Sequence, residues 1–417
     1  MSSRGPAPLE RAGANLSRIS AEQARADHAR AAAGTPVAWV AIIVPIELLH
    51  GFDLVAAVPE NHSALCAAKG AGAELAAAAE AAGYSADICS YARIDLGWSE
   101  SGARASPVGG LPRPDLLISD LNNCSLLVKW FEAQQRRLGV DHFVLDVPFC
   151  IQPQQAHHRA YIRRQLEALV ERLQALCGRR FDRQRCARAL QRSDEALALW
   201  RQLLELAARR PAAISAFDTF AHMAPFITGL RGSQTLVEHY RLLLDEARER
   251  AAAGGAAVAP ERYRLLWDNI APWHQLRRMS QRLAGLGANI VAATYTACMG
   301  TVEGGRPIRY AGGDPLDHLA RIQNFSVCPY GLALREQAMA GLVERFAVDG
   351  VVFASNRSCK VYSVMQLDLE RRIAARCRVP TARIDIDHAD PRAYDEEQAF
   401  NRLEALLETI AAGRQPS

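Results

Sequence analysis

The sequence predicts an α/β protein with two Rossmann-like lobes, each built on a parallel sheet, and a helical region between them. Short apolar runs alternate with longer helical segments at both ends of the chain, which is typical of βαβ units. From about 153 to 256 only helical spacing of apolar residues is found. A chain of 417 residues also exceeds the size of one ordinary core. We therefore expect a helical or flexible lead at 1–35, an α/β lobe at 36–152, a helical region at 153–260 and a second α/β lobe at 261–417.

The first strand candidate is VAWVAIIV at 37–44, a continuous apolar run that ends at Pro45. Runs of this kind suit strands that are buried on both faces of a parallel sheet. Seven further candidates lie at 52–58, 116–120, 142–147, 263–268, 288–295, 350–355 and 382–387. Helical segments lie between them, such as the Ala-rich stretch 62–83, and a last helix is expected at 395–413.

Two amphipathic stretches, 160–180 and 194–210, define the middle of the chain. They carry apolar residues at helical spacing, with charged residues on the opposite face. Pro211 ends the second stretch because proline cannot continue a helix. A further helix is expected at 232–252, so this region should form a helical lobe or insertion.

Composition excludes several classes of function. The net charge is only +4, and basic residues alternate with acidic ones, so no basic stripe for nucleic acid is expected. No run approaches the roughly 20 apolar residues of a membrane span, and the Arg-rich start has no apolar signal region, so we expect a cytoplasmic protein. None of the three lysines, Lys69, Lys129 and Lys360, follows a glycine. A phosphate-binding P-loop is therefore not expected, nor is ATP hydrolysis by this chain.

Three cysteines that are far apart in sequence, Cys89, Cys124 and Cys359, are the candidate metal ligands. Each follows a short apolar run that we interpret as a strand. Because the carboxyl ends of parallel strands meet at one crevice, we expect the three thiols to converge in the cleft between the lobes. Three thiolates would form a soft metal site with one coordination position left open. The alternative is that all three are buried, small apolar residues.

Several motifs resemble those of a known family. They include PENHSALCAA at 59–68, DICSYARIDLG at 87–97 and SDLNNCSLLVKWFE at 119–132. Near the end, SNRSCK at 355–360 is followed by Gln366, Asp368 and a DxDxxDPR motif. Together these motifs resemble the iron–sulfur subunits of the 2-hydroxyacyl-CoA dehydratase and benzoyl-CoA reductase family. The similarity covers nearly the whole chain after residue 35.

The resemblance implies a specific cofactor and specific partners. Each large subunit of that family has Rossmann-like lobes and holds a [4Fe–4S] cluster with three cysteines, which correspond here to Cys89, Cys124 and Cys359. A homologous second subunit completes a heterodimer, and a separate ATP-hydrolysing iron–sulfur activator supplies electrons. The expected substrate is an acyl-CoA or aroyl-CoA thioester, with no nucleic acid and no membrane as partner.

Three interpretations of the function remain open. The chain could belong to an (R)-2-hydroxyacyl-CoA dehydratase or to a benzoyl-CoA reductase, or it could be a non-catalytic subunit that relays electrons. The stretch VAWVAIIVPIE at 37–47 offers no Ser or Thr to orient an iron-bound hydroxyl. That absence slightly favours reduction of an aromatic ring.

Other residues of these motifs are candidates for catalysis and for the cluster's surroundings. Glu60 and His62 are the catalytic candidates, although Glu60 could instead stabilise a helix start and His62 could be a surface histidine. The candidates that would surround the cofactor are Ser355, Asn356, Ser358, Lys360 and Asn123. Their alternative role is turn formation, which Ser and Asn favour.

The remaining candidates have a packing interpretation as well as a functional one. Trp267, Asp268 and Trp273 could line an acyl pocket or pack beneath the cleft. The acidic residues that surround His388 could attract a cation, but we favour strand-end turns and ion pairs. We expect packing roles for the other seven cysteines: Cys66, Cys150, Cys177, Cys186, Cys298, Cys328 and Cys377.

Overall fold

The computed structural model contains two four-stranded parallel sheets and one two-stranded antiparallel ribbon. It describes residues 9–103, 106–122, 124–149, 151, 154–299, 302–303, 306–323 and 331–414. The strands of the first sheet are β1 (Val37–Val40), β2 (Val55–Ala57), β3 (Leu116–Asp120) and β4 (Asp141–Leu145). The second sheet contains β5 (Tyr263–Asp268), β6 (Ala288–Ala293), β9 (Gly350–Asn356) and β10 (Thr381–Ile386), and the ribbon contains β7 (Val302–Glu303) and β8 (Arg306–Pro307).

Helices surround both sheets and fill the middle of the chain. In the first lobe they are α1 (Glu10–Ala32), α2 (Ile46–Leu49), α3 (Pro59–Ala68), α4 (Gly72–Ala81), α5 (Ser90–Glu100) and α6 (Ser125–Leu138). The middle helices are α7 (Ala156–Cys177), α8 (Arg183–Glu205), α9 (Ala216–His222) and α10 (Gln234–Ala252). The second lobe has α11 (Leu276–Gly285), α12 (Thr294–Ala297), α13 (Pro315–Ile322), α14 (Leu332–Arg345), α15 (Lys360–Ser363), α16 (Gln366–Cys377) and α17 (Glu396–Ala412).

The predicted α/β class with two parallel sheets is confirmed, and all eight strand candidates overlap observed strands. The prediction at 37–44 was too long, because the strand ends at Val40 and residues 41–44 remain buried without strand pairing. The predicted helix at 62–83 is two helices, α3 and α4. Gly70 separates them with a φ of +86°, a left-handed conformation that glycine adopts easily.

The two sheets have the same strand topology. The first has the order β2-β1-β3-β4 and the second has the order β6-β5-β9-β10. In each sheet the first strand lies between the second and the third, which creates a topological switch point. Ligands of open α/β sheets bind at the carboxyl ends of the strands at this point. Each lobe therefore offers one such edge.

The lobes approach each other closely at the start of α4. A Cβ atom at Gly72 would lie 2.3 Å from the carbonyl oxygen of Ala389, so only glycine fits there. The lead helix α1 packs on α10 of the helical region, where Glu246 accepts hydrogen bonds from the backbone N–H groups of Arg11 and Ala12. None of the helices in the described ranges combines the length and the apolar character needed to cross a bilayer.

Candidate functional site

Two of the three candidate cysteines occupy equivalent positions in the two lobes. Cys124 follows β3 and precedes α6, and Cys359 follows β9 and precedes α15. Both strands are the third of their sheet, so each cysteine lies at its lobe's switch point. Cys89 differs, because it follows α4 and a turn rather than a strand, and it precedes α5. The predicted strand before Cys89 was therefore wrong.

The three thiols are close enough to influence one another. Burial raises the pKa of all three, and the charges of Cys359 and Cys124 add to the rise at Cys89. The pKa of Cys359 rises to about 12, with a contribution from Cys124. Across the described ranges, however, no three His, Cys, Asp or Glu side chains form a group that could hold a single metal ion. The cysteines therefore converge without forming a mononuclear site.

Each of the three sulfurs faces backbone N–H groups of the helix that follows it. Tyr91 and Ala92 supply these donors for Cys89 and oppose the effect of burial. Leu126 and Leu127 supply them for Cys124, and Tyr362 supplies one for Cys359. Donors at a helix start stabilise negative charge, so the three positions favour thiolates over neutral thiols.

The second lobe surrounds Cys89 with polar side chains from the turn after β10. Nε2 of His388 lies 3.5 Å from Sγ of Cys89 and 3.1 Å from Oγ of Ser90. Oδ1 of Asn356 accepts from the backbone N–H of His388 and lies 2.8 Å from Nδ1 of the same ring. Because the amide oxygen is an acceptor, the proton of the ring is on Nδ1, and burial lowers the pKa of His388 so that it stays neutral. Nε2 is therefore left as an acceptor toward Ser90 and Cys89.

Ser358 connects the Cys359 loop to the same turn. Its hydroxyl donates to Oδ2 of Asp387 at 2.6 Å and accepts from the backbone N–H of Ser90 at 3.2 Å. Burial opposes ionisation of Asp387, but the neighbouring imidazole, the hydroxyl groups and the N–H of Ala389 hold its pKa below the usual range. The carboxylate thus joins the loops of Cys89 and Cys359.

Glu60 is the predicted catalytic residue with the most perturbed environment. It lies in the first turn of α3, and its Oε2 accepts from the backbone N–H of Ile42 at 2.6 Å. Burial raises the pKa of Glu60 to about 7, and the charge of Asp120 contributes to the rise. Glu60 in turn raises the pKa of Cys124, so the carboxyl lies near that sulfur. A carboxyl with this pKa can hold or release a proton at neutral pH.

His62 lies in a different environment from Glu60. It is buried, with Nε2 2.9 Å from Oγ of Ser106 and 3.5 Å from Sγ of Cys66, and its ring packs on Trp98. Burial lowers the pKa of His62 to about 4. It is therefore not a surface histidine. These contacts favour a packing role, and its catalytic role stays a prediction.

The other residues predicted around the cofactor differ in burial. Asn356 and Ser358 are buried, Ser355 is half-buried in β9, and Lys360 is exposed with its Nζ donating to the carbonyl of Arg357 at 2.9 Å. Asn123 lies outside the described residues, as do Cys150 and Cys328. Its neighbour Asn122 is buried, and its side-chain oxygen and nitrogen have no hydrogen-bond partner in the described part of the chain. Such orphaned polar atoms beside Cys124 are typical of a ligand site.

Arg335 is a site residue that the sequence did not indicate. Its guanidinium lies over the ring of Tyr362, 4.3 Å from the centroid, and its Nη1 is 3.5 Å from the carbonyl oxygen of Val361. Nη2 lies 3.9 Å from Oδ1 of Asp268. The positive charge opposes the rise of the Cys359 pKa. Arg335 is buried on α14, far from any motif in sequence, and only its place in an apolar helical pattern marked it as unusual.

The packing interpretation holds for several other candidates. Trp267 is fully buried and packs on Phe217, while Asp268 accepts from Thr294 and Gln366. The described cysteines outside the site are all free thiols, and they are buried or half-buried: Cys66, Cys177, Cys186, Cys298 and Cys377. Ion pairs and turns also account for the acidic residues around His388.

Comparison with known proteins agrees with this arrangement. Residues 41–410 match the family model described as 2-hydroxyglutaryl-CoA dehydratase, D-component. The chain is 31% identical to the (R)-2-hydroxyisocaproyl-CoA dehydratase alpha subunit of Clostridioides difficile, over 90% of each chain. It is 29% identical to the (R)-phenyllactyl-CoA dehydratase alpha subunit of Clostridium sporogenes, over 92% of this chain and 91% of the relative. It is 28% identical to one of the subunits of the benzoyl-CoA reductase of Thauera aromatica, over 87% and 86%. The chain therefore belongs to the family of the 2-hydroxyglutaryl-CoA dehydratase D-component.

Proposed function

We propose that the chain holds a [4Fe–4S] cluster through Cys89, Cys124 and Cys359 and is one subunit of a cytoplasmic, ATP-dependent CoA-thioester enzyme. The substrate is a benzoyl-CoA-type thioester whose ring is reduced, or an (R)-2-hydroxyacyl-CoA that is dehydrated. The observation that carries this proposal is the convergence of three cysteines from two lobes, each at the start of a helix. When bound, such a cluster supplies electrons at low potential and one open iron position.

The residues at the site fit this group. Thiolates are the usual ligands of iron–sulfur clusters, and the three buried thiols repel one another when ionised without a metal. Backbone N–H groups that face each sulfur would hold the thiolates in place and raise the cluster's potential. The absence of a single-ion group in the described ranges is compatible with a larger cluster.

Glu60 is the residue that we propose for proton transfer. Its carboxyl lies near Cys124, and a pKa of about 7 allows it to be protonated or ionised under ordinary conditions. The N–H of Ile42 fixes one oxygen, so the other is left to face a substrate. Residues 41–44 beside it are apolar and carry no hydroxyl, which favours a flat, apolar acyl group.

A second subunit is supported by the exposed apolar surface. The large apolar side chains that are exposed in the described ranges all follow β3, β4 or β9, at the sheet edges that carry Cys124 and Cys359: Leu121, Phe149, Ile151, Val364 and Leu367. Exposed apolar groups gathered at one edge indicate a protein interface. We propose that a homologous subunit covers this edge, and that a separate ATP-hydrolysing activator delivers the electrons.

The decisive experiment is anaerobic purification followed by iron and sulfide analysis and EPR spectroscopy. We expect about four irons and four sulfides per chain, the composition of one cubane. The Cys359→Ser variant should lose most of both, whereas Cys377→Ser, which changes a half-buried cysteine of α16, should keep them. Near-zero iron in the wild-type protein would reject the cluster.

Thioester addition separates the possible roles. A catalytic subunit should change its EPR signal when a thioester binds, and a relay subunit should not. A change with benzoyl-CoA but not with an (R)-2-hydroxyacyl-CoA indicates ring reduction, and the reverse indicates dehydration.

A further inference from the structure

A cavity of about 160 Å³ lies beside α8, on the first-lobe side of the helical region. It is lined by the half-buried ring of His50 and by Arg185, Arg188, Ala189 and Arg192 of that helix. The cavity is large enough for several water molecules or for a phosphate group. None of these residues takes part in the cysteine site.

The three arginines lie on one face of α8. Their spacing of three and four residues places the guanidinium groups side by side. In the described part of the chain, no carboxylate lies within 4.0 Å of any of the three. Their neighbour Arg183 on the same helix is paired with Asp314. Three adjacent cations without an acidic partner repel one another, so an anion would stabilise them.

His50 and Ala189 form the rest of the lining. Nε2 of His50 lies 2.7 Å from the carbonyl oxygen of Arg231, so the ring donates there and is held in position. Burial lowers the pKa of His50, and the charges of Arg185 and Arg192 contribute to this shift. The ring is therefore close to the same cations. Ala189 is small and buried, and it leaves space between the arginines.

We propose that this arginine pocket binds the phosphate groups of an anionic ligand. Guanidinium groups donate two parallel hydrogen bonds to phosphate oxygens, and three of them can bind a phosphoanhydride from several sides. The ligand is either the phosphate-bearing end of a CoA thioester or a free nucleotide or pyrophosphate. The first possibility rests on the proposed function, whereas the anion site itself does not.

The position of the pocket favours a CoA thioester as the source. Ile42, whose N–H binds Glu60, is only eight residues before His50. An extended chain of eight residues spans at most about 29 Å, and α2 shortens this stretch. The thioester end of a long ligand could therefore reach Glu60 while its phosphates bind the arginines.

Isothermal titration calorimetry on the anaerobic, cluster-containing protein tests the proposal. The probes are pyrophosphate, ADP, adenosine 3′,5′-bisphosphate and CoA. We expect saturable binding of one ligand per chain that weakens with added salt. Arg188→Gln and Arg192→Gln should each weaken it about tenfold or more, because each removes charge-assisted hydrogen bonds. Arg241→Gln is the matched control, since Arg241 is an exposed arginine of α10 that pairs with Glu195.

Each outcome decides a separate question. Tighter binding of CoA than of ADP identifies the thioester end as the ligand, and tighter binding of ADP identifies a free nucleotide. Absence of saturable binding, or equal binding by the Arg188, Arg192 and Arg241 variants, overturns the pocket. Iron content and the EPR signal are measured on the same samples. A failure of the pocket with an intact cluster therefore leaves the proposed function standing, and a missing cluster with intact phosphate binding does the reverse.

Discussion

Arg93 of the first lobe and Asp390 of the second form a buried ion pair, with 2.8 Å between Nη1 and Oδ2. Nη1 of Arg93 also lies 2.6 Å from Oε1 of Glu80, and Arg392 binds both acids from the outer side. Arg93 lies on α5, which begins directly after Cys89. The ion pair therefore holds Cys89 against the lobe that supplies Cys359.

Replacing Arg93 should weaken the contact between the lobes. We expect Arg93→Gln to lower the free energy of unfolding by about 3 kcal/mol, because Asp390 would remain buried without its partner. Arg392→Gln is the control. Its side chain is 41% exposed, so water screens its ion pairs and the loss should stay below about 1 kcal/mol. Urea denaturation of both variants measures the difference, and equal losses would contradict a special role for the inner pair.

Glu60→Gln should abolish proton transfer and keep the fold. The amide oxygen can still accept from Ile42, but the side chain can no longer ionise. We expect turnover at pH 7 to fall about 100-fold or more. The wild-type rate should change with pH near 7, where Glu60 titrates, and the variant should lack that change. Glu132→Gln is the control, because Glu132 pairs with Lys129 at the surface of α6. A Glu60 variant that keeps both rate and pH profile would exclude the residue from proton transfer.

Arg335 should influence the cluster's reduction potential. The Arg335→Gln variant removes a positive charge close to Cys359, so the reduced form should become less favourable. At a fixed solution potential we expect the ratio of reduced to oxidised cluster to fall about tenfold, which corresponds to about 59 mV for one electron. Arg335→Lys should recover part of the shift because it retains the charge. Redox titration monitored by EPR measures the ratio.

The matched control for Arg335 is Arg345→Gln, which changes an exposed arginine of the same helix that pairs with Glu205. This variant should leave the potential unchanged. Equal potentials in the Gln and Lys variants of Arg335 would show that the charge is not the cause.

A buried histidine pair should make stability depend on pH. Nδ1 of His222 lies 3.2 Å from Nε2 of His239, and Asn15 of α1 donates to the other nitrogen of His239. Burial lowers the pKa of His222 to about 3 and of His239 to about 4. Both rings are neutral above pH 6.5 in the folded and the unfolded chain. As the pH falls below 6.5, the unfolded chain takes up protons first, so stability is lost toward pH 4.

The measurement is urea denaturation at pH 7 and at pH 5. The wild-type protein should lose up to about 2 kcal/mol of unfolding free energy per histidine between these values. His222→Asn keeps an acceptor near the Nδ1 position and should lose less. His157→Gln changes an exposed histidine and should behave like the wild-type protein. A variant of His222 with the wild-type pH dependence would locate the effect elsewhere.

The fold was largely predictable because the strands of a buried parallel sheet are continuous apolar runs. LLISD at 116–120 and YRLLWD at 263–268 coincide with β3 and β5. The run at 37–44 misled because it remains apolar beyond Val40, where burial continues but pairing with a neighbouring strand does not. Composition reports burial, and hydrogen bonding decides where a strand ends.

The sequence by itself determined the α/β class, the cysteines that carry the family motifs, and the acidic residue Glu60 beside them. Only the tertiary structure decided that Cys89 begins a helix instead of ending a strand, and that His62 packs in the first lobe. It also brought His388 to Cys89 and Arg335 to the Cys359 loop, across about 300 residues in the first case. Local patterns reflect the preferences of neighbouring residues, whereas these contacts depend on how two lobes and a helix pack, which no short stretch of sequence encodes.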